Sequence, residues 1–289
     1  MNTSHCFGGA WTQSKLNRLS KYLSEYMKIF KANEKARYFS TFYVDAFAGT
    51  GHRSDPNNSY DQCLFGDDDA VEFQQGSAKI ALDTKPSFDH FIFIDTNPVF
   101  IEELNSLKES YRDKDIHIEC EDCNYYLQRW CKSMDWRRNR AVVFLDPYGA
   151  QVDWKTIECI AATKAIDLWL LFPLGQAVNR MLARKGPDPS WAKRLDRFFG
   201  TTDWWDAFYK PSPQMGLFDE EPTMEKTANF KSISDYFVKR LKTVFAGVAN
   251  RPLELCNSKN IPIFMLCFAS ANPKGAKTAI RIADYILRH

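Results

Sequence analysis

VDAFAGTG, from Val44 to Gly51, ends an apolar run with an acid and then turns on Gly49 and Gly51. An apolar run of this length bounded by glycines reads as a strand buried on both faces. Glycines after the strand let the backbone approach a ligand with no side chain in the way. The turn is not a P-loop, because no G-x-x-x-x-G-K-[ST] is present. It is also a poor dinucleotide fingerprint, which needs three spaced glycines opening directly into a helix.

Outward from this strand the chain alternates. Leu16, Leu19, Leu23, Tyr26, Met27 and Phe30 recur at three- and four-residue spacing and predict a helix over Trp11 to Phe30. After VDAFAGTG comes a polar loop, His52 to Phe73, then a helix restarting at Gly76 to Leu82. HFIFID (90–95), IHIEC (116–120), AVVFLD (141–146) and AIDLWLLF (165–172) read as strands. Helical patterns at Pro98–Ser110, Tyr125–Ser133 and Trp154–Thr163 separate them. Strands alternating with helices imply crossover units and a mainly parallel sheet. Prolines break the rhythm between 173 and 228, which reads as an insertion after strand five. A helix over Asn229–Phe245, a strand over Ile261–Ser270, expected to be antiparallel, and a helix over Gly275–Leu287 complete the pattern. The expected organisation is one domain over 1–289, with an N-terminal helical segment at 1–40.

Composition narrows the function classes. The 289 residues are 45% hydrophobic, 15% aromatic and 26% charged, which excludes a disordered or fibrous chain. A net charge of +2 leaves nucleic-acid binding to local clusters. No apolar run approaches the roughly 20 residues of a membrane span. The N-terminus shows no charged-then-apolar export signal, so the eight cysteines are expected reduced in a cytoplasmic protein. Cys120 and Cys123 form a lone C-x-x-C with no second pair, and no metal site is expected. No G-x-S-x-G elbow points to a hydrolase.

D-x-F-x-G-x-G (Asp45, Phe47, Gly49, Gly51) resembles the first motif of class I S-adenosylmethionine (SAM)-dependent methyltransferases. The resemblance implies a Rossmann-like α/β fold with a seven-stranded, mainly parallel sheet, helices on both faces and SAM across the strand ends. It also implies that Asp95, ending FIFID, holds the ribose hydroxyls, and that Asp122, with Asn124 beside it in CEDCN, contacts the adenine amino group. Carboxylates suit hydroxyl and amino donors because a charged acceptor makes the stronger hydrogen bond. The same acids would also serve as ordinary strand-end caps.

LDPYG (145–149) resembles the D-P-P-Y motif of methyltransferases acting on exocyclic amino groups of bases, and more closely the D-P-F-G of tRNA guanine methyltransferases. The chemistry explains the residue types. Asp146 and the carbonyl of Pro147 can accept both amine hydrogens and free the nitrogen lone pair, and Tyr148 can stack on an extruded base. The second proline is absent and the aromatic stands third rather than fourth.

The pieces together resemble a narrower family, the three-Cys-motif partner proteins of bacteria and phages. The resemblance rests on WTQSKLNRLSKYLSEYM, FYVDAFAGTG, GSAKIAL, FIDTNP, FLDPYG, LLFPLG with Asn179-Arg180, and FASANPKGAKTA. It implies a cysteine-rich partner resembling radical-SAM or iron–sulfur proteins. It leaves open a SAM-binding or scaffold role without catalysis, and a methyltransferase with another substrate class.

Two basic–aromatic stretches could face a polyanion. One holds Arg129, Trp130, Lys132, Trp136, Arg137, Arg138 and Arg140; the other holds Arg180, Arg184, Lys185, Lys193, Arg194 and Arg197, with Trp191 and Trp204-Trp205 nearby and the substrate-binding candidate Asn179 just before it. The second is expected to face substrate, since it follows strand five at the edge where ligands bind. Gln214-Met215-Gly216-Leu217-Phe218 fits Q-x-x-L-F, a type of peptide that docks on sliding clamps, in a proline-rich acidic loop.

Overall fold

The computed structural model describes residues 10–34, 36–48, 76–212 and 223–289, with side chains from residue 13 onward. Gly49, Gly51, the loop from His52 to Phe73 and the Gln214–Phe218 peptide lie outside the described residues.

Strands β1 (Ser40–Asp45), β2 (His90–Asp95), β3 (Asp115–Cys120), β4 (Asn139–Leu145) and β5 (Ile166–Phe172) are mutually parallel. Two short strands, β6 (Tyr209–Pro211) and β7 (Met224–Lys226), pair as a separate ribbon. The last strands are β8 (Gly247–Val248), β9 (Leu253–Cys256) and β10 (Pro262–Ser270). The main sheet runs β3-β2-β1-β4-β5-β10-β8, and β9 also pairs with β10. β10 is antiparallel to β5, as expected. This is a Rossmann-like class I arrangement. Eight segments fill seven positions because β8 and β9 share one flank of β10. Arg251 and Pro252 interrupt that flank, and a proline lacks the donor a continuous strand needs.

Side chains alternate between two cores. Phe42, Val44, Ala141, Val143, Leu145, Leu168 and Leu170 point to one face; Tyr43, Val142, Phe144, Trp169 and Leu171 point to the other. This is the strand period of two acting on runs apolar at every position. On the first face lie α4 (Cys123–Ser133), α5 (Trp154–Ala162), α7 (Pro189–Phe199), α8 (Trp204–Phe208) and α9 (Phe230–Lys242). The second carries α1 (Ala10–Ala32), the helix over 76–83 (α2), α3 (Pro98–Glu109) and α10 (Ala276–Arg288).

The insertion after β5 is built into the first core. Leu195, Phe198, Phe199, Trp204, Phe208 and Tyr209 are buried there, and Phe198 stacks on Phe237 of α9 at 5.9 Å. It opens with a π-helical turn, Leu174–Val178, followed by a short helix α6 (Asn179–Met181). A Cβ at Gly175 in that turn would lie 2.1 Å from the carbonyl oxygen of Pro262. Gly200 ends α7 at φ +68, the left-handed cap that favours glycine.

Candidate active site

The strand order reverses between β1 and β4, and in open α/β sheets ligands bind beyond the carboxyl ends of the strands at such a point. Asp45 is the last residue of β1 and pairs in register with Phe144 of β4, so Asp146 lies two residues past it on the neighbouring strand. On the other side Asp45 registers with Phe93, placing Asp95 two residues past it on β2. Asp122 follows β3 as the N-cap of α4. Four acids from four adjacent strand ends therefore occupy the same edge of the sheet.

Asp45 is fully buried. Ser77 Oγ of α2 donates to its Oδ2 at 2.8 Å and Tyr43 Oη at 3.2 Å, while Oδ1 has no hydrogen-bond partner among the described residues. Burial pushes its pKa up to about 7, opposed by the Ser77 bond and helped by the Asp146 charge. A buried acceptor left unsatisfied is costly, so Oδ1 is suited to a donor brought by a ligand. Asp95 is 8% exposed and accepts from the Asn97 N–H at 2.7 Å, closing the turn into α3. Asp122 Oδ1 accepts from the N–H groups of Asn124 and Tyr125 at 3.0 and 3.2 Å. These bonds are caps in form, yet they leave the acids at the sheet edge.

Asn124, beside Asp122, has its side-chain amide engaged within the chain. Its Nδ2 donates to the carbonyl of Gln151 at 2.9 Å, and its Oδ1 accepts from Asp153 N–H and Thr156 Oγ1, both at 2.8 Å. That amide pins α4 to the start of α5, which makes it a brace. Phe47 is half-buried and packs against the first core.

The DPYG turn sits at the end of β4. Asp146 and Pro147 are buried and Tyr148 is half-buried. Gln151 Oε1 accepts from the Tyr148 N–H at 3.1 Å and braces the turn from within. A Cβ at Gly149 would lie 3.9 Å from Cβ of Ala177, so the turn abuts the π-helical turn after β5.

One site residue was missed in the sequence. Lys15 of α1 is wholly buried, and its Nζ lies 2.6 Å from Asp146 Oδ2. Its ammonium also lies over the Phe144 ring, 5.8 Å from the centroid. Burial lowers its pKa, while the charges of Asp146 and Asp45 hold it up. The signal was available: residues 15, 19, 22 and 26 share one helical stripe, and Leu19, Tyr22 and Tyr26 are buried.

The basic clusters divide. In the first, Glu121 takes Arg129 through two bonds, Asp135 takes Arg137, and the carbonyls of Trp136 and Asn139 take Arg140. Trp130 and Trp136 meet edge-on at 4.9 Å against the core. Three of its four arginines are thus held within the chain, while Lys132 and Arg138 are exposed. In the second, Asn179 Oδ1 accepts from Lys226 Nζ at 2.7 Å, Arg197 binds Asp153 and Arg184 pairs with Glu225 at 3.5 Å. Arg180, Lys185, Lys193 and Arg194 are exposed.

Among the described residues no group of His, Cys, Asp and Glu is arranged to hold a metal ion, and no helix is long and apolar enough to cross a membrane. Burial pushes the Cys131 thiol up to about 12.

No protein-family model matches the chain, and no curated protein matches it. Among solved structures it is similar to a DUF519 protein from Legionella pneumophila, at 11% identity and a TM-score of 0.48 over 98% of this chain and 92% of that one. A SAM-dependent methyltransferase from Clostridium acetobutylicum is similar at 10% identity and a TM-score of 0.37, covering 88% of this chain and 91% of that one. An rRNA methylase from Streptococcus thermophilus is similar at 9% identity and a TM-score of 0.32, covering 74% of this chain and 95% of that one.

Proposed function

We propose that the chain is a SAM-dependent methyltransferase that modifies an exocyclic amino group of a nucleic-acid base. The observation that carries this reading is the row of acids Asp122, Asp95, Asp45 and Asp146 at four neighbouring strand ends, with the buried Oδ1 of Asp45 lacking a donor. The donor set fits SAM: Asp95 and Asp122 suit its hydroxyl and amino groups, and Asp45 suits a cationic or N–H donor. Glycines at 49 and 51 suit a close backbone approach. When bound, SAM would supply a methyl group already activated on sulfonium. The chain would supply alignment, which accounts for large rate factors when the reactants are held in line.

Asp146 and the Pro147 carbonyl would accept the amine hydrogens. Tyr148 would stack on the base. The exposed Arg180, Arg184, Lys185, Lys193 and Arg194 of the insertion would neutralise phosphates. A cysteine-rich partner belongs to the same reading through the family resemblance.

The test is transfer of labelled methyl from SAM to mixed DNA and RNA by the full chain. Transfer that Asp146→Ala abolishes, with the Asp95→Ala variant losing SAM binding, supports the reading. Product formed equally well by Asp146→Ala contradicts it.

A further inference from the structure

We propose that Lys15 is a positioning residue of this site, fixing Asp146 through Oδ2 so that the other carboxylate oxygen is presented to the substrate amine. The proposal rests on the methyltransferase reading above.

Three observations lead to it. First, the partners come from unrelated parts of the chain, 131 residues apart, and meet at 2.6 Å where both are buried. Second, stability does not account for the pair. Replacing a buried ion pair by well-packed apolar residues is often neutral or stabilising, and the rest of the α1 stripe, Leu19, Tyr22 and Tyr26, is already suited to an apolar neighbour. Third, Asp146 stands beside a second buried acid. Neighbouring carboxylates repel, the charge of Asp146 pushes Asp45 up, and a cation between them offsets that repulsion.

Lys15 supplies the cation that both acids share. Tyr43 also faces this cluster, its hydroxyl donating to Asp45. No described residue donates to Oδ1 of Asp146. Lys15 therefore commits Oδ2 of Asp146 to a charge-assisted bond and stops the group rotating. With one oxygen committed, Asp146 accepts a single hydrogen, and the second falls to the carbonyl of Pro147. An N-terminal helix that looks like packing thus sets the geometry at the DPYG turn.

The test measures SAM-dependent methyl transfer by the full chain in the wild type, Lys15→Met and Lys15→Arg, with kcat and the KM for SAM read separately. The expected result is a fall in kcat of about 100-fold in Lys15→Met with the KM for SAM little changed, because a misaligned acceptor slows the chemical step and not donor binding. Lys15→Arg keeps the charge and displaces the geometry, and its kcat is expected to fall about tenfold. Full turnover in Lys15→Met overturns the proposal alone. A wild type that transfers no methyl group overturns the reading beneath it. Where Lys15→Met does not fold, Lys15→Arg decides, and full turnover there overturns the proposal.

Discussion

The Lys15 ammonium and the Asp146 carboxylate, from the first helix and the end of β4, form one buried ion pair. Removing one partner leaves the other charge buried and unpaired, which costs about 3–5 kcal/mol. Lys15→Ala is expected to lose about that much in urea denaturation. The double variant Lys15→Met/Asp146→Leu is expected to be more stable than either single change, because neither charge then remains.

A second polar tether lies two turns along the same helix. Tyr22 Oη donates to Asp167 Oδ2 at 2.7 Å, both groups buried. Burial pushes Asp167 up to about 6, and the Tyr22 bond opposes that rise. A carboxyl raised in the folded state binds more protons there, so stability falls as pH rises from about 4 to about 6. Tyr22→Phe removes a bond that favours the charged form. It is expected to cost about 1–3 kcal/mol, more at pH 7 than at pH 4, in denaturation curves at the two pH values.

Asp45 is the more strongly raised of the two buried carboxyls. With its pKa pushed up to about 7, its contribution to stability declines as pH climbs from about 4 to about 7 and stays low above that. Asp45→Asn removes this penalty, so the variant gains on the wild type between pH 5 and pH 8, by at most roughly 4 kcal/mol. A cationic ligand at Oδ1 favours the charged form, so SAM binding near pH 7 is expected to release a proton. Calorimetry in buffers of different ionisation heat measures it, and Asp45→Asn abolishes the release.

The turns that close the site are sterically committed. At Gly175 a new Cβ meets the rigid Pro262 carbonyl at 2.1 Å, and at Gly200 it meets Trp154 Cδ1 at 2.1 Å on a left-handed backbone. Alanine at either position is expected to lower stability by about 2 kcal/mol or more, read as a fall in melting temperature.

Lys193 and Arg194 are exposed on the outer face of α7. Reversing both charges is expected to weaken nucleic-acid binding about tenfold or more at low salt and to flatten its salt dependence, measured by fluorescence anisotropy. Reversal at Arg137, already held by Asp135, is expected to do much less.

The sequence carried the sheet further than the site. The strands buried on both faces were legible because near-continuous apolar runs leave few other readings; their register came from the fold. The β8 and β9 pieces were not, since two and four residues around Arg251-Pro252 carry too little pattern. The acids were legible because strand ends fix where they must lie. Lys15 was only half legible: its stripe with Leu19, Tyr22 and Tyr26 marks it as core-facing, a lysine in an amphipathic helix reads as solvent-facing, and only the fold brings it to Asp146. Asn124 stands adjacent to Asp122 in sequence, and only the fold shows its amide bonded to the start of α5.

Everything proposed for this site requires the strand ends to hold a methyl donor. Titration calorimetry of the full chain with SAM is expected to show one site per chain in the wild type and loss of binding in Asp95→Ala with the fold intact. Absence of binding in the wild type, or undiminished binding in Asp95→Ala, would contradict that requirement.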